Sequence, residues 1–559
     1  MKEIFDNLES PINKFYYWEK EIPNNVFLRQ PYGDKWHTVT YKEAGEQARK
    51  IRNALYNLGL KKGDHIGILS KNCYHWILAD LAIAMGGFVS VPYYASLPKK
   101  QLAEVIEKSD VKAIFLGKLE QWGNREEAIP ESLKVVKFPH YKGNANITIG
   151  EDWDALIADN STEGEDFVPA LDDLWTILFT SGTTGSPKGV MHTYKNPAIV
   201  LKIEELTGFL GTLKLEEPKY FSFLPLNHVA ERIAVEMNCF AAGGVISFAE
   251  SIDTFAKNLQ DTQPTFIFAV PRIWTKFYQG VLGKVSQKKM DMLLKIPIIN
   301  NIFKKKIRTA LGLRDTKIAL TGAAITPLHI KKWYKKLGIH LIEVYGMTEV
   351  CGSTVAGADL NAPLDSVGSK VPYCEIKIDP DTKEVLMKTP FVMKGYYKEE
   401  EKTKEVLKDG WMYSGDRGEL DDKGYLRIVG RVKDAFKTAK GIYITPNPME
   451  EVLMKNEFVE QVCVAGLGIP QPIALVNLSE QGDEHDKEEL KKSLIASLEE
   501  VNLEKASQSK ISTIVVTKEK WTEENNFLTP TLKVKRNEID NFYSAKYLEC
   551  HDDDEQVII

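Results

Sequence analysis

The sequence reads as an α/β protein: a large N-terminal domain of parallel α/β subdomains that carries a small β-barrel-like subdomain, then a small α+β C-terminal domain. Three observations lead there. Residues 38–117 alternate helix-spaced apolar patterns with short apolar runs, which implies a parallel sheet covered by helices on its faces. Residues 365–398 hold short strand-like runs separated by turns, as in an antiparallel subdomain, and after residue 430 a fresh mixed α/β run begins. A length of 559 residues also exceeds what one core supports, so two or more domains are expected.

Taken in order, Thr38-Val-Thr-Tyr-Lys-Glu opens a helix whose Ala44, Ala48, Ile51, Leu55 and Leu58 recur at helical spacing until Gly59 ends it. Gly63 to Leu69 reads as a strand, Tyr74 to Met85 as a helix running into Gly86-Gly87, and Phe88-Val-Ser-Val-Pro as the next strand. Lys99 to Gly117 repeats helix then strand. His65 and His75 read as structural or surface histidines. From about 118 to 170 the chain is polar and weakly periodic, and is expected to be surface connection. Tyr220 to Arg232 is a strand ending in a polar turn, Lys317-Ile-Ala-Leu-Thr-Gly-Ala-Ala a strand ending in small residues, and Leu341 to Glu349 follows one helix later. In the last domain Gln461 to Gly466, Pro472 to Leu478 and Ile511 to Val516 read as strands around a helix from Glu488 to Leu503. The acidic His551-Asp-Asp-Asp-Glu is expected to be disordered.

Leu174 to Gly189 is the stretch with chemistry in it: an apolar strand breaks into Thr-Ser-Gly-Thr-Thr-Gly-Ser-Pro-Lys-Gly. Gly182, Gly185 and Gly189 permit positive φ and let backbone N–H groups approach an anion. Thr180, Ser181, Thr183 and Thr184 add hydroxyl donors and Lys188 a point charge, so polyphosphate is the ligand such a loop suits. A Walker A loop has lysine directly after glycine and a hydroxyl residue directly after lysine. Here Pro187 precedes Lys188 and Gly189 follows it, which makes a P-loop NTPase a poor match. Taken alone the loop reads as an ordinary glycine-rich connection, since most such turns bind nothing.

Composition narrows the classes further. An apolar fraction of 43%, a charged fraction of 27% and a net charge of −6 describe a globular chain with no sign of nucleic-acid binding. The six cysteines show no CxxC pair and no set of histidine partners, so neither a disulfide framework nor a zinc site is suggested. No signal-peptide h-region and no apolar run of membrane-spanning length stands out, which points to the cytoplasm. Residues 282–314 carry Lys284, Lys288, Lys289, Lys295, Lys304, Lys305, Lys306 and Arg308 around Ile296-Pro-Ile-Ile and Ile302-Phe. Such a stretch either lies peripherally on an anionic inner membrane face or caps the domain as a solvated basic helix. The oligomeric state stays open, with a homodimer among the readings.

Thr180 to Gly189 resembles the signature loop of the adenylate-forming (AMP-binding) superfamily, which contains acyl-CoA synthetases, luciferases and peptide-synthetase adenylation domains. Matching motifs recur in the family's order from about residue 38 to residue 539. Leu-Asn-His-Val-Ala-Glu-Arg232 together with Val270-Pro-Arg-Ile-Trp274 most resembles the long-chain fatty acid and bubblegum-type branch. The resemblance implies that Gly322, Ala323, Ala324 and Tyr345 sandwich an adenine, with Val344 and Gly346 in the same nucleotide-contacting run and Glu343 facing the amino group. It places Thr348 at the α-phosphate, Glu349 and Thr180 on Mg²⁺, and His228 beside the acyl carboxylate. Asp416, in Trp411-Met-Tyr-Ser-Gly-Asp-Arg-Gly418, takes the ribose hydroxyls, Arg431 reaches ribose and phosphate, and Lys437 lies nearby. Domains follow as 1–430 for adenylation, 431–436 for a hinge with Lys433 at its pivot, and 437–559 for a small mobile domain with an acidic tail after about 550. Phe436 stands where the family has an aliphatic residue.

Aligning Lys533-Val-Lys-Arg-Asn-Glu-Ile with the family's terminal motif makes Lys533 the catalytic lysine, beside Lys188, Thr348 and His228. Leu532 stands where the family has glycine, which leaves Lys535 as an alternative. The implied activity is that of an ATP-dependent fatty acid–CoA ligase: carboxylate attack on ATP gives acyl-AMP and pyrophosphate, and coenzyme A then displaces AMP. ATP, Mg²⁺ and coenzyme A are the implied cofactors and co-substrates. A medium-chain or aryl acid–CoA ligase and a luciferase-like adenylating oxygenase are the competing readings. A peptide-synthetase module would need a carrier domain after the small domain, and a non-enzymatic nucleotide binder would not need every polar position of the ATP site filled. Acyl chain length is not readable from the residues.

Overall fold

Alternating helix and strand across the first half of the sequence becomes two parallel-rich sheets. The structure, a computed structural model, describes residues 4–180, 187–503, 505–529, 533–553 and 555–559. By compactness the chain forms two units, Met1–Glu375 with Met387–Met412, and Ile376–Leu386 with Tyr413–Ile559. Residues 376–386 and 413–430, expected in the adenylation domain, thus group with the C-terminal residues. The cause is local: the antiparallel ladder from Asp416↔Arg431 to Leu420↔Leu426 ties the strand Trp411–Leu420 to Tyr425–Arg431.

In the first unit one sheet has the strand order Gly395–Tyr396, Lys188–Thr193, Leu174–Thr180, Val89–Tyr93, His65–Leu69, Ala113–Leu116, Lys134–Lys137, Glu151–Asp152. All its pairs are parallel except those that Lys188–Thr193 makes on either side. The second sheet is parallel from Leu341–Met347 through Ile318–Gly322, Phe266–Ala269, Lys219–Ser222 and Val245–Phe248 to Val26–Tyr32. Helix Tyr41–Asn57 opens on a capping box: the Thr40 hydroxyl accepts from Glu43 N–H at 3.2 Å and the Glu43 carboxylate from Thr40 N–H at 2.7 Å. Such a cap stabilises by roughly 1 kcal/mol. Its Ala44, Ala48, Ile51 and Leu55 are all buried, as their spacing requires. Helix Tyr74–Met85 buries every residue from His75 to Met85. A helix apolar on all sides belongs between layers, and this one lies in a core shared by strands of both sheets.

His75 is one of the buried residues; its Nδ1 is 2.7 Å from the Tyr141 hydroxyl, and burial lowers its pKa to about 3, so it is neutral and structural. The expectation that residues 118–170 only connect is corrected. Lys134–Lys137 and Glu151–Asp152 extend the sheet, and helix Trp153–Asp159 sets a fully buried Trp153 against His75 and Phe138. Runs of four and two residues are too short to show a period.

The second unit has a sheet of Val459–Ala465, Ile473–Leu478, Ile514–Val516 and Val557–Ile558, packed by helix Lys487–Asn502 through Leu490, Leu494, Leu498 and Val501. The acidic tail departs from its expected disorder. Tyr547–Asp552 is helical, and Val557–Ile558 pairs in parallel with Ile514–Val516. The apolar Val-Ile-Ile beyond the acids supplies the burial that the acids lack: Val557 is wholly buried.

The first unit also buries an ionic cluster. Arg232 pairs with Asp80, and its Nε lies 2.9 Å from Glu236, while its guanidinium sits 4.3 Å from the Trp175 ring centre. Residues Arg232–Met237 form a π-helical turn. Next to it the Glu231 Oε1 accepts from Ser222 Oγ at 2.8 Å and Phe223 N–H at 3.1 Å. Burial pushes the Glu231 carboxyl up from 4.5 to about 8, against the pull of those two donors. A carboxyl raised in the folded state leaves stability untouched below its unfolded pKa and removes stability as the pH climbs towards its folded pKa. Glu231→Gln is therefore expected to gain on the parent chain from roughly pH 5 to pH 8, with a slope of up to about 1.4 kcal/mol per pH unit. Urea midpoints at several pH values read that slope; parallel curves for the two proteins would show that Glu231 ionises normally.

Candidate active site

Strand geometry sets the phosphate end of the candidate site. Leu174–Thr180 and Lys188–Thr193 pair antiparallel with Thr180 opposite Lys188, and Gly395–Tyr396 adds to the outer side with Tyr396 opposite Val190. Ser181, Gly182, Thr183, Thr184 and Gly185, the expected phosphate cradle, lie outside the described residues. At the base of that connection the Lys188 ammonium stands 5.0 Å from the Tyr396 ring centre. The Tyr396 hydroxyl donates to Glu349 Oε1 at 2.7 Å. Burial and the adjoining carboxylate both raise the Tyr396 phenol, so it stays protonated and donating at neutral pH. Thr180 Oγ1 donates to the Lys188 carbonyl at 3.5 Å.

Glu349 and Thr348 follow strand Leu341–Met347 and are buried. The Thr348 carbonyl accepts from His192 Nε2–H at 2.7 Å; burial lowers His192 to about 4, which keeps the ring neutral. Sequence reasoning missed both Tyr396 and His192. The first stood in a run read only as a turn-bound strand, the second in the strand that leaves the glycine-rich loop. Among the described residues no group of three His, Cys, Asp or Glu side chains gathers as a metal cage. A buried carboxylate with one oxygen accepting from a phenol fits Mg²⁺, a hard cation that keeps waters and takes phosphate oxygens.

The expected adenine edge is a close backbone approach. A Cβ on Gly322 would come within 2.8 Å of the Val344 carbonyl, and one on Gly346 within 1.8 Å of the Gly352 carbonyl, so both positions need glycine. Ala323 turns the chain with φ 65°, and Ala324 is exposed. Val344 and Tyr345 are half-buried at the end of their strand. Glu343 differs from its expected place facing an amino group. Its Oε1 accepts from Thr326 N–H at 2.7 Å and its Oε2 pairs with the Lys331 ammonium, which also donates to the Leu364 carbonyl at 2.7 Å. Burial raises this carboxyl and Lys331 opposes the rise. The pair braces the loop after Gly322 from beneath. His228 is half-buried and caps Val229–Glu231, its Nδ1 accepting from Ala230 N–H at 3.2 Å.

In the second unit Asp416 and Arg431 are cross-strand partners with Nε and Oδ1 3.0 Å apart. Gly415, at φ 73°, lets the guanidinium lie against the backbone, where a Cβ would come within 3.2 Å of it. Lys533 is exposed along its side chain, yet the protein crowded round its ammonium lowers its pKa, Asp416 pulling it up and Arg431 pushing it further down. Lys535, by contrast, donates to Asn526 Oδ1 at 2.5 Å. Asp416, Arg431 and Lys533 are thus brought together. Lys433 is exposed in the turn after Tyr425–Arg431, and Lys437 is exposed with its ammonium 5.5 Å from the Tyr443 ring centre.

Residues 15–397 match the AMP-binding enzymes and residues 433–549 the AMP-binding enzyme C-terminal domain. Fatty acyl-CoA synthetase A of Dictyostelium discoideum is 30% identical, over 93% of this chain and 87% of its own. Long-chain-fatty-acid–CoA ligase 5 of Rattus norvegicus is 29% identical over 94% and 85%. The o-succinylbenzoate CoA synthetase of Bacillus subtilis, solved with its acyl-adenylate intermediate, shares the fold at a TM-score of 0.73 and 22% identity, covering 94% of this chain and 97% of that one. The adenylation domain of the Segniliparus rugosus carboxylic acid reductase, solved with AMP, gives 0.77 and 20%, covering 97% and 94%. With both of its segments matched in order along one chain, this protein belongs to the family of AMP-binding enzymes.

Proposed function

We propose that this protein is an ATP-dependent fatty acid–CoA ligase, which joins a fatty carboxylate to AMP with loss of pyrophosphate and then passes the acyl group to coenzyme A. The observation that carries the adenylation half is the Lys188–Tyr396–Glu349 set at the base of the glycine-rich loop: a cation, a fixed phenol and a buried carboxylate. The fatty substrate and coenzyme A come from what the relatives that match nearly the full chain are named for.

The first step joins two anions, so it needs charge neutralisation and positioning far more than a base. Lys188 brings positive charge to the phosphates, and the Thr180 hydroxyl a donor. Glu349, with Thr180, would hold Mg²⁺, which when bound neutralises phosphate charge. Tyr396 holds the Glu349 carboxylate in place and shields it from bulk water. His192 fixes Thr348, assigned to the α-phosphate, through its carbonyl. Gly322 to Ala324 and Tyr345 take the adenine, Asp416 the ribose hydroxyls and Arg431 ribose and phosphate. His228 stands by for the acyl carboxylate, and Lys533 supplies a second cation to the adenylation step. Lys433 is assigned the pivot between the half-reactions, since an exposed turn lysine can change φ and ψ without burying its charge.

Pyrophosphate–ATP isotope exchange that depends on added fatty acid tests the whole reading; nucleotide turned over to ADP in place of AMP would end it. Lys533→Ala is expected to cut that exchange by roughly 10² to 10³ and to leave thioesterification of supplied acyl-AMP near parent rates. Lys535→Ala should leave both half-reactions largely intact, and the opposite pattern would give the role to Lys535. Tyr396→Phe keeps the ring in the sheet but removes the Glu349 hydrogen bond. It should lower exchange by roughly tenfold, about 1.4 kcal/mol, and raise the Mg²⁺ concentration needed for half-maximal rate, with no such shift expected if the phenol only fills space.

A further inference from the structure

Helices Gln287–Lys295 and Pro297–Ala310, in the first unit, show apolar side chains on two sides. Inward, Met290 and Ile307 are buried in a core with Trp274, Trp333 and Leu337. Outward, Met292 is 57% exposed, Ile296 41%, Ile299 40% and Ile302 65%. A surface helix of a globular domain normally hides one apolar stripe and shows polar residues elsewhere. Here four further apolar side chains face solvent: one on the first helix, one at the junction before Pro297 and two on the first turns of the second helix.

Charge sorts what would cover it. Residues 284–314 hold nine lysines and arginines and one acid, a net +8 inside a chain whose total is −6. The acid, Asp291, is paired with Lys336 at 2.9 Å. Lys288, Lys289, Lys295, Lys305 and Lys306 are exposed around the four apolar side chains. Arg308 is used inside, donating to the Leu313 carbonyl at 3.2 Å and the Thr316 carbonyl at 3.0 Å, which pins the end of the second helix. A second copy of this chain would bring like charge against like charge, and a nucleic acid would leave the four apolar side chains without a role. No helix among the described residues is long and apolar enough to cross a membrane.

We propose that this two-helix face docks on an anionic lipid bilayer. Its lysines meet the headgroups while Met292, Ile296, Ile299 and Ile302 enter the acyl boundary, the division of labour of an interfacial amphipathic helix. The docking deepens the fatty acid–CoA ligase reading and rests on it for its purpose, because long-chain acids partition into bilayers and a docked enzyme meets them there.

Sedimentation of the full chain with phosphatidylcholine vesicles, with and without about 30% phosphatidylserine, tests the proposal. Binding is expected only to the anionic vesicles, falling steeply with salt. The Lys305→Glu/Lys306→Glu variant should weaken it by roughly tenfold or more, and Ile299→Asn/Ile302→Asn by several-fold at constant charge. Thermal melts of both variants matching the parent keep a folding defect from passing as a docking defect. Equal binding to the two vesicle types, variants that bind like the parent, or a dimer that Ile302→Asn dissolves would each overturn it. AMP release with octanoate in vesicle-free buffer is measured on the same proteins. The same assay is run with acids up to oleate, and absence of AMP release from the parent with every acid would sink the ligase reading while leaving the vesicle result standing.

Discussion

Strand register at the edge of the first sheet is the constraint on which the candidate site depends. Side chains alternate across a strand, so Lys188 and Val190 share a face, and Tyr396, opposite Val190, shares it too. Lys188 is then the diagonal neighbour of Tyr396, within reach of a long side chain. A slip of one residue in either ladder would send the ammonium or the phenol to the far face. Register is held from several directions: the Lys394 N–H donates to the Met191 carbonyl at 2.9 Å, Tyr397 N–H to the Gly189 carbonyl at 2.8 Å, and Met393 N–H to the Glu349 carbonyl at 2.7 Å. The last of these joins the edge strand to the acidic residue without any side chain, so the carboxylate and the phenol are positioned by one backbone network.

Two buried ionic groups support this arrangement from different sides. Arg232 with Asp80 and Glu236 lies next to the turn that presents His228, and Lys331 with Glu343 lies under the turn after Gly322. Taking charges out of water costs several kcal/mol per ion, and a buried pair repays this only with near-complete hydrogen bonding. Lys331 meets that condition with the Leu364 and Ser366 carbonyls, and Asp80 with the Ser90 hydroxyl. Such groups are poor sources of net stability. What they supply is attachment: Asp80 on helix Tyr74–Met85 holds Arg232, and Glu343 accepts from Thr326 N–H in the turn after Gly322.

Much of this was legible in the sequence, for reasons that can be named. Helix Tyr74–Met85 announced itself through twelve residues free of lysine, arginine and glutamate that run into Gly86-Gly87, and its bounds match those read from the pattern. Strands Leu174–Thr180 and Ile318–Gly322 were visible because each is a β-prone run that breaks into small or hydroxyl residues. What stayed hidden depends on long-range pairing. Tyr396 meets Glu349 across 47 residues of sequence, and His192 meets Thr348 across 156. The brace on Glu343 comes from Lys331, a lysine that looks like any other on an amphipathic helix until its 5% exposure is seen. Lys533 and Lys535 could not be separated by spacing; Asn526 and Asp416 distinguish them only once folded.

The short strand Val557–Ile558 gives the last feature a practical meaning. It covers the open side of Ile514–Val516 with a parallel ladder, and Val557 plugs the core beneath helix Lys487–Asn502. Trimming the chain before residue 557 would bare a row of unsatisfied peptide groups on an apolar edge, the kind of surface that recruits strands from neighbouring molecules. A preparation that clumps once residues 557–559 are lost therefore has a ready physical explanation.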